Sequence, residues 1–308
     1  MANDPILVVG SFVQDLTFST PRFPAPGETV VGTFLTGPGG KGSNQAVAAR
    51  RAGAEVVFVG AVGDDAFAHD VRRFYGEEGI EARLAVYPAE STGTAGILFD
   101  RTGQNEIVVA LGANDRIAPA DVPDELLDRA GTVVCQLECN LDTVADVLSR
   151  SGERGKTRVL NPAPLREDLD PGLIDLAEIL VPNESEFAAL ARLKGLDLPE
   201  GGITGLPPGE LDALCRRLGP PTVIVTLGEA GAHVSEADGF RRVEPVRDIE
   251  VVDTTGAGDA FVGAFAAGLA RFAGDTARAV AFANRAAALS VTRKGTAPAM
   301  ARLDEIEP

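Results

Sequence analysis

Short apolar runs recur along the chain, and most of them end on a glycine or a polar residue. Ile6 to Gly10, Val56 to Ala61, Thr132 to Leu137, Arg158 to Leu160, Ile179 to Val181 and Thr222 to Leu227 are rich in β-branched residues and leucine. They are too short for buried helices, and their lack of polar alternation predicts strands covered on both faces. Helical runs lie between them, ending near Ala52, then at about 65–78, 141–150, 260–272 and 276–290. This βα alternation predicts an α/β fold with a doubly wound, mainly parallel sheet flanked by helices. Three β-like segments interrupt the alternation: Glu28 to Thr36, Gly93 to Phe99 and Glu106 to Ala110, the last two joined by a hairpin-like Asp100-Arg101-Thr102-Gly103. They predict a small accessory sheet. Gly231 to Ser235 and Phe240 to Val246 read as antiparallel strands at a sheet edge, and Leu196 to Gly209 as a surface excursion.

In a doubly wound sheet, ligands bind outside the carboxyl ends of the strands. Glu138, Asn183, Glu186, Thr226 and Gly228 all follow or end predicted strands, so they should converge on one crevice. Asp15 comes shortly after the first strand, where a solvated loop acid and a ligand-binding acid are both open. The stretch Val251-Val252-Asp253-Thr254-Thr255-Gly256-Ala257-Gly258-Asp259-Ala260 passes from β-formers through glycine to an Ala-rich run. Such a segment enters a helix N-terminus, where unpaired N–H groups and about half a positive charge favour an anion. Asp259 there is either an ordinary cap or a base beside a phosphate.

The second glycine-rich stretch is Gly37-Pro38-Gly39-Gly40-Lys41-Gly42-Ser43-Asn44-Gln45. Gly37, Gly39 and Gly42 fit G-x-G-x-x-G, but a dinucleotide fingerprint belongs after the first strand, which here ends at Gly10. It is no Walker A loop either, because Gly42 follows Lys41 where Ser or Thr is required. What remains is a turn bringing backbone close to a ligand, with Lys41 and Asn44 as polar handles, or a tight turn with no ligand.

Charge and cysteine content narrow the classes. A net charge of −17 argues against nucleic acid or an anionic membrane as partner. No apolar run reaches the length of a membrane span, and the opening Met1-Ala2-Asn3-Asp4-Pro5 has no signal-peptide pattern. Three cysteines are too few for a disulfide framework, and Cys135 and Cys139 lack companions for zinc, so a reducing, cytoplasmic setting is expected. His69 and His233 stand apart, and no G-x-S-x-G elbow supports a hydrolase. A glycine-rich anion turn with an adjacent Asp, a second glycine-rich loop with Lys and Asn, and strand-end acids and amides are what phosphoryl transfer requires, since its catalysis is mostly positioning and charge stabilisation.

Asp253-Thr254-Thr255-Gly256-Ala257-Gly258-Asp259 resembles the C-terminal signature of the ribokinase-like (PfkB) carbohydrate kinases, and Gly39-Gly40-Lys41-Gly42-Ser43-Asn44-Gln45 their N-terminal one. Pro26-Gly27-Glu28-Thr29, Gln136-Leu137-Glu138, Asn161-Pro162-Ala163-Pro164, Pro182-Asn183-Glu184-Ser185-Glu186, Thr226-Leu227-Gly228 and Val291-Thr292-Arg293-Lys294-Gly295 match further family segments in order. The resemblance implies ATP-dependent phosphorylation of a sugar, D-ribose at O5. Kinases of deoxyribose, of fructose- or gluconate-type acceptors or of nucleosides remain open, as does a non-catalytic sensor. It further implies that Asp15, Gly39, Gly40, Lys41, Asn44 and Glu138 hold the sugar, that Asp259 is the base, and that Gly256, Ala257 and Gly258 form the anion hole. Asn183, Thr226, Gly228, Gly231, Gly258 and Asn284 would contact ATP. Glu186 would organise Mg²⁺ through water, and Asp253, Thr255, Ser290, Arg293 and Gly295 would surround K⁺. The family pattern implies one domain over residues 1–308, with a β-lid formed by about 13–38 and 91–112 that often builds a homodimer. Val13 departs from a common Asn facing the sugar, Asn284 from a His, and Ala299 from a Ser, so the preferred sugar is left open.

Overall fold

A computed structural model describes residues 4–199 and 201–307; the first three residues, where no leader is expected, lie outside them. Among the described residues, the strands are β1 (Ile6–Val9), β2 (Val13–Ser19), β3 (Thr33–Gly39), β4 (Val56–Val62), β5 (Glu81–Val86), β6 (Gly93–Phe99), β7 (Asn105–Ala110), β8 (Thr132–Cys135), β9 (Thr157–Leu160), β10 (Ile179–Leu180), β11 (Thr222–Thr226), β12 (Ala232–Glu236) and β13 (Gly239–Val243). The helices are α1 (Lys41–Arg51), α2 (Ala66–Glu78), α3 (Asp124–Arg129), α4 (Leu141–Glu153), α5 (Glu184–Leu193), α6 (Pro208–Leu218), α7 (Ala257–Arg271), α8 (Thr276–Ser290) and α9 (Leu303–Ile306).

The main sheet has the order β13-β12-β11-β10-β9-β8-β1-β4-β5. Strands β5 to β11 in that row are parallel, and β12 and β13 close one edge as an antiparallel hairpin. Every residue of β1, β4 and β8 is buried, as expected for strands packed on both sides. Alternate residues serve two cores. Ile6, Val8, Phe58 and Val134 pack with Ala46, Ala49, Ala260 and Ala264 of α1 and α7. Leu7, Val9, Val59 and Val133 pack with Val144, Leu148, Phe187 and Leu190 of α4 and α5. Alanines at the α1–α7 contact let the two helices approach closely, which sets their N-termini side by side.

The second sheet has the order β3-β2-β6-β7, with β2 parallel to β6 and antiparallel pairing elsewhere. The expected accessory segments do join in one sheet, but through a strand that the pattern hides. β2 carries Gln14 and Asp15 near its start and so lacks an apolar run. The strand expected at 28–36 begins at Thr33 and continues to Gly39; residues 28–32 are not in a strand, and Val31 is 87% exposed there. β5, made of the helix-formers Glu81-Ala82-Arg83-Leu84-Ala85, is an edge strand dictated by its pairing with β4. The excursion expected at 196–209 is cut short by α6, which starts at Pro208.

Candidate active site

The strand order reverses at β1: the chain runs outward through β4 and β5, then returns to β8 and proceeds the other way. A crevice at such a reversal is the ligand site of open α/β sheets. Ser11 follows β1, Gln136 and Glu138 follow β8, Asn161 follows β9, Asn183 follows β10, and Thr226 ends β11. The N-termini of α1 and α7 lie at the same edge; the first N–H groups of α1 are taken up by Glu138 and Ser11, and those free of a backbone acceptor belong to the turn that opens α7.

On the β1 side, Glu138 is buried and its Oε2 accepts from the Ser11 hydroxyl at 2.5 Å and from the Lys41 backbone N–H at 2.8 Å. One carboxylate therefore ties the first strand to the start of α1. Gly40 is the N-cap, with φ of +91°, and a Cβ on it would lie 2.6 Å from the Val13 nitrogen. Neither the conformation nor the space admits a side chain. Asp15 lies on β2 with its carboxylate against Gly39 and accepts from the Thr296 hydroxyl at 3.4 Å. Burial, the charges of Glu138 and, last, Asp259 raise its pKa to about 7, against a lowering by the Thr296 hydroxyl. Lys41 is the countercharge. Burial pushes its pKa down, but the carboxylates of Asp259, Glu138 and Glu186 outweigh this and raise it overall.

Asp259 sits in the first turn of α7 and is 6% exposed. It does not cap its own helix: the N-cap is Gly256, left-handed at φ of +79°, with no side-chain capping bond. Its Oδ2 accepts from Asn44 Nδ2 at 3.0 Å, and its Oδ1 from Gln45 Nε2 at 3.0 Å. The ordinary-cap reading therefore fails, and the carboxylate belongs to the crevice. In the adjacent turn the Ala257 N–H already donates to Thr254 at 3.2 Å. Gly256 and Gly258 have no such backbone acceptor among the described residues, so of the three expected anion-hole donors these two are uncommitted.

Toward β11, Asn183 caps α5: its Oδ1 accepts from the Glu186 N–H at 2.8 Å, and Glu186 Oε2 accepts from the Asn183 N–H at 2.8 Å. Burial raises the Glu186 pKa, and the repulsion of Asp259 adds to it, while the Asn183 N–H and Lys41 oppose. Asn183 pairs with Thr226 in an isolated parallel bridge. Gly228 and Gly231 bracket the turn after β11, and Asn284 of α8 donates to the Glu244 carbonyl at 3.3 Å. Asp253 latches two loops together, accepting from the N–H groups of Thr255 at 2.9 Å and Gly295 at 3.0 Å. The Ser290 hydroxyl donates to Ala287 at 2.7 Å, and the Arg293 side chain pairs with Glu305 rather than facing those loops. The carbonyls of Asp253, Thr255, Arg293 and Gly295 accept no hydrogen bond among the described residues.

Ser11, Gln45, Gln136, Asn161 and Thr296 were not singled out by sequence, yet their side chains line or brace this crevice. Asn161 stands at a strand end and could have been found by the rule that located Asn183; Gln45 and Thr296 offered no signal beyond their place in a motif. His69 is exposed and His233 is buried on β12 against Phe240. Among the described residues no group of His, Cys, Asp and Glu could alone hold a metal ion, and no helix is long and apolar enough to cross a membrane.

Comparison with known proteins places the chain in a family. The chain is 39% identical over 307 residues to a ribokinase of Bacillus subtilis, covering 98% of each chain. It is 36% identical over 301 residues to a deoxyribokinase of Salmonella typhi, covering 94% of each. Its fold superposes on the structure of Arabidopsis thaliana ribokinase complexed with ribose and ATP with a TM-score of 0.85, at 30% identity, covering 98% of this chain and 97% of that one. The model of the pfkB family carbohydrate kinases matches residues 3–302, and with two glycine-rich turns meeting at one buried aspartate, the chain belongs to that family.

Proposed function

We propose that this protein transfers the γ-phosphoryl group of ATP to O5 of D-ribose. The observation that carries the reading is the Asp259 carboxylate, buried between the N-termini of α1 and α7 and held there by Asn44 and Gln45. Asp259 takes the proton as O5 attacks the γ-phosphorus; the new P–O bond forms as the bond to the β-phosphate oxygen breaks, leaving ADP and ribose 5-phosphate. A general base of this kind contributes about 10²–10⁴ in rate. The Gly256 and Gly258 N–H groups, with Ala257 sharing its bond to Thr254, receive the charge developing on the phosphoryl oxygens. Repulsion between Asp259 and the phosphates is offset by the α7 N-terminus and by Lys41.

Asp15, Gly39, Gly40, Lys41, Asn44 and Glu138 orient the sugar. Asn44 supports this: its Oδ1 is buried without a partner among the described residues, an acceptor that a sugar hydroxyl would satisfy. Asn183, Thr226, Gly228, Gly231, Gly258 and Asn284 form the nucleotide side. Mg²⁺ would screen the phosphates, and Glu186 suits it through water, since only its Oε2 is engaged. K⁺ would be held by the uncommitted carbonyls of Asp253, Thr255, Arg293 and Gly295 in the loops that Asp253 latches, with Ser290, whose carbonyl already accepts from the Arg293 N–H at 3.2 Å, as a shared fifth donor. Residues 1–308 form one domain in this reading, with 13–38 and 91–112 as a lid over the sugar. The lid's other face exposes Phe18, Phe34 and Val108 at 43%, 52% and 75%, which supports a homodimer. The buried, unpaired cysteines suit a cytoplasmic setting.

One observation favours 2-deoxyribose as a second acceptor. Val13 shares the Asp15 face of β2, is 2% exposed, and packs with Ala95 and Ile97, so it offers no hydrogen bond to a hydroxyl. Release of ADP across ribose, deoxyribose, fructose, gluconate and nucleosides tests the assignment. Ribose should give the highest kcat/KM. A higher value for another acceptor reassigns the substrate, and no release with any of them rejects the kinase.

A further inference from the structure

Beneath the anion turn lies a chain of three buried side-chain amides drawn from three separate segments. Gln136 Nε2 donates to Gln45 Oε1 at 2.7 Å. Gln45 Nε2 donates at 3.0 Å both to Asn161 Oδ1 and to Asp259 Oδ1. Asn161 Nδ2 donates to the Val181 carbonyl at 2.9 Å. Gln45 and Gln136 are fully buried, and Asn161 is 7% exposed.

The direction of this chain is not arbitrary. A backbone carbonyl can only accept, so Val181 fixes the Asn161 amide with its NH₂ toward β10 and its oxygen toward α1. That oxygen in turn demands a donor, which fixes the Gln45 amide with its NH₂ inward. The same NH₂ group therefore faces Asp259. Gln136 completes the arrangement by donating to the Gln45 oxygen left on the far side. A carbonyl at the end of β10 thus dictates that Asp259 meets a donor and not a competing acceptor.

We propose that Gln45 is a positioning residue for the base, with Asn161 setting its polarity. This rests on the reading of Asp259 as the base. Asn44 and Gln45, adjacent in α1, each hold one carboxylate oxygen, so the plane of the carboxylate is fixed against the sugar loop. Misplacing a reacting group by about 1 Å costs about 10² in rate.

Three variants test it at saturating ribose and ATP. Gln45→Met keeps the length of the side chain and removes both polar ends; kcat should fall about 10–100-fold while KM for ribose and for ATP stays within about 3-fold. Gln45→Glu keeps the shape but points an acceptor at Asp259 while ionised. Its kcat should be low at pH 8 and recover several-fold relative to wild type at pH 5.5, where the introduced carboxyl regains a proton to donate. Asn161→Ser should lower kcat by less than Gln45→Met does, without moving either KM. A bracing role alone would lower stability and leave the pH profile of Gln45→Glu parallel to wild type. That result, or wild-type kcat in Gln45→Met, overturns the proposal. If Gln45→Met does not fold, the pH profile of the isosteric Gln45→Glu decides alone. Failure of the kinase reading is separate, because the wild-type protein would then release no ADP with any acceptor.

Discussion

Ribose binding should depend on pH through Asp15, and the size of the effect can be worked from its surroundings. Burial first, then the charges of Glu138 and Asp259, bring its pKa up to about 7, against the lowering by Thr296. With that value, about one tenth of the free protein carries an ionised Asp15 at pH 6 and about nine tenths at pH 8. A sugar hydroxyl donates to a carboxylate more strongly than to a carboxylic acid. If the ionised form binds, apparent affinity scales with its population, so Kd for ribose should fall about 10-fold from pH 6 to pH 8. Binding at pH 6 should release close to one proton, and at pH 8 about a tenth of one. Calorimetric titration of ribose without nucleotide, in buffers of different ionisation enthalpy, reads both quantities free of the chemical step. Asp15→Asn should bind more weakly and flatten the dependence. The sign for stability is opposite: a carboxyl whose pKa rises from 3.8 on folding binds its proton more tightly in the folded state, so its contribution to stability declines as pH climbs toward 7. A Kd that varies less than 2-fold over this range, or equally in Asp15→Asn, would refute the assignment of Asp15 to the sugar.

Other expectations follow from single contacts. Gly40→Ala forces a side chain into a left-handed conformation with its Cβ 2.6 Å from the Val13 nitrogen; urea unfolding should show a loss of at least about 1–3 kcal/mol, and an unchanged midpoint would deny the strain. Asn183→Ala removes the cap of α5 at a cost of about 1 kcal/mol and should raise KM for ATP; a stability loss with no change in that KM would confine Asn183 to capping. Replacing K⁺ by Na⁺ should lower kcat, and Asp253→Ala, which unlatches the Thr255 and Gly295 loops, should abolish the difference; equal rates in the two salts remove the cation site.

The crevice was legible wherever a residue's position along the chain fixes its position in space. Glu138, Asn183 and Thr226 follow or end apolar runs, and a parallel sheet carries such residues to one edge. Asp259 was legible from the passage of β-formers through glycine into alanine. The lid was harder. Asp15 breaks the apolar pattern of β2 because its carboxyl lies among Glu138, Asp259 and Thr296 at the crevice, so the residue that turns the strand toward the crevice also hides it. Val30 and Val31 suggested a strand where an exposed loop lies, since nothing in a pair of β-branched residues says whether a partner strand passes beside them. β5 shows the reverse, with helix-formers held in a strand by β4. The Gln45 network was invisible for another reason. Its members lie far apart in sequence, and a buried amide looks like any surface amide until the fold supplies its partners.

As the proposed base, Asp259 sits between two helix N-termini. Asp259→Asn keeps the size of the side chain and removes the proton acceptor, so kcat for ribose should fall by about 10²–10⁴ while calorimetric affinities for ribose and ATP stay within about 3-fold of wild type. Turnover within 10-fold of wild type in that variant would contradict that role.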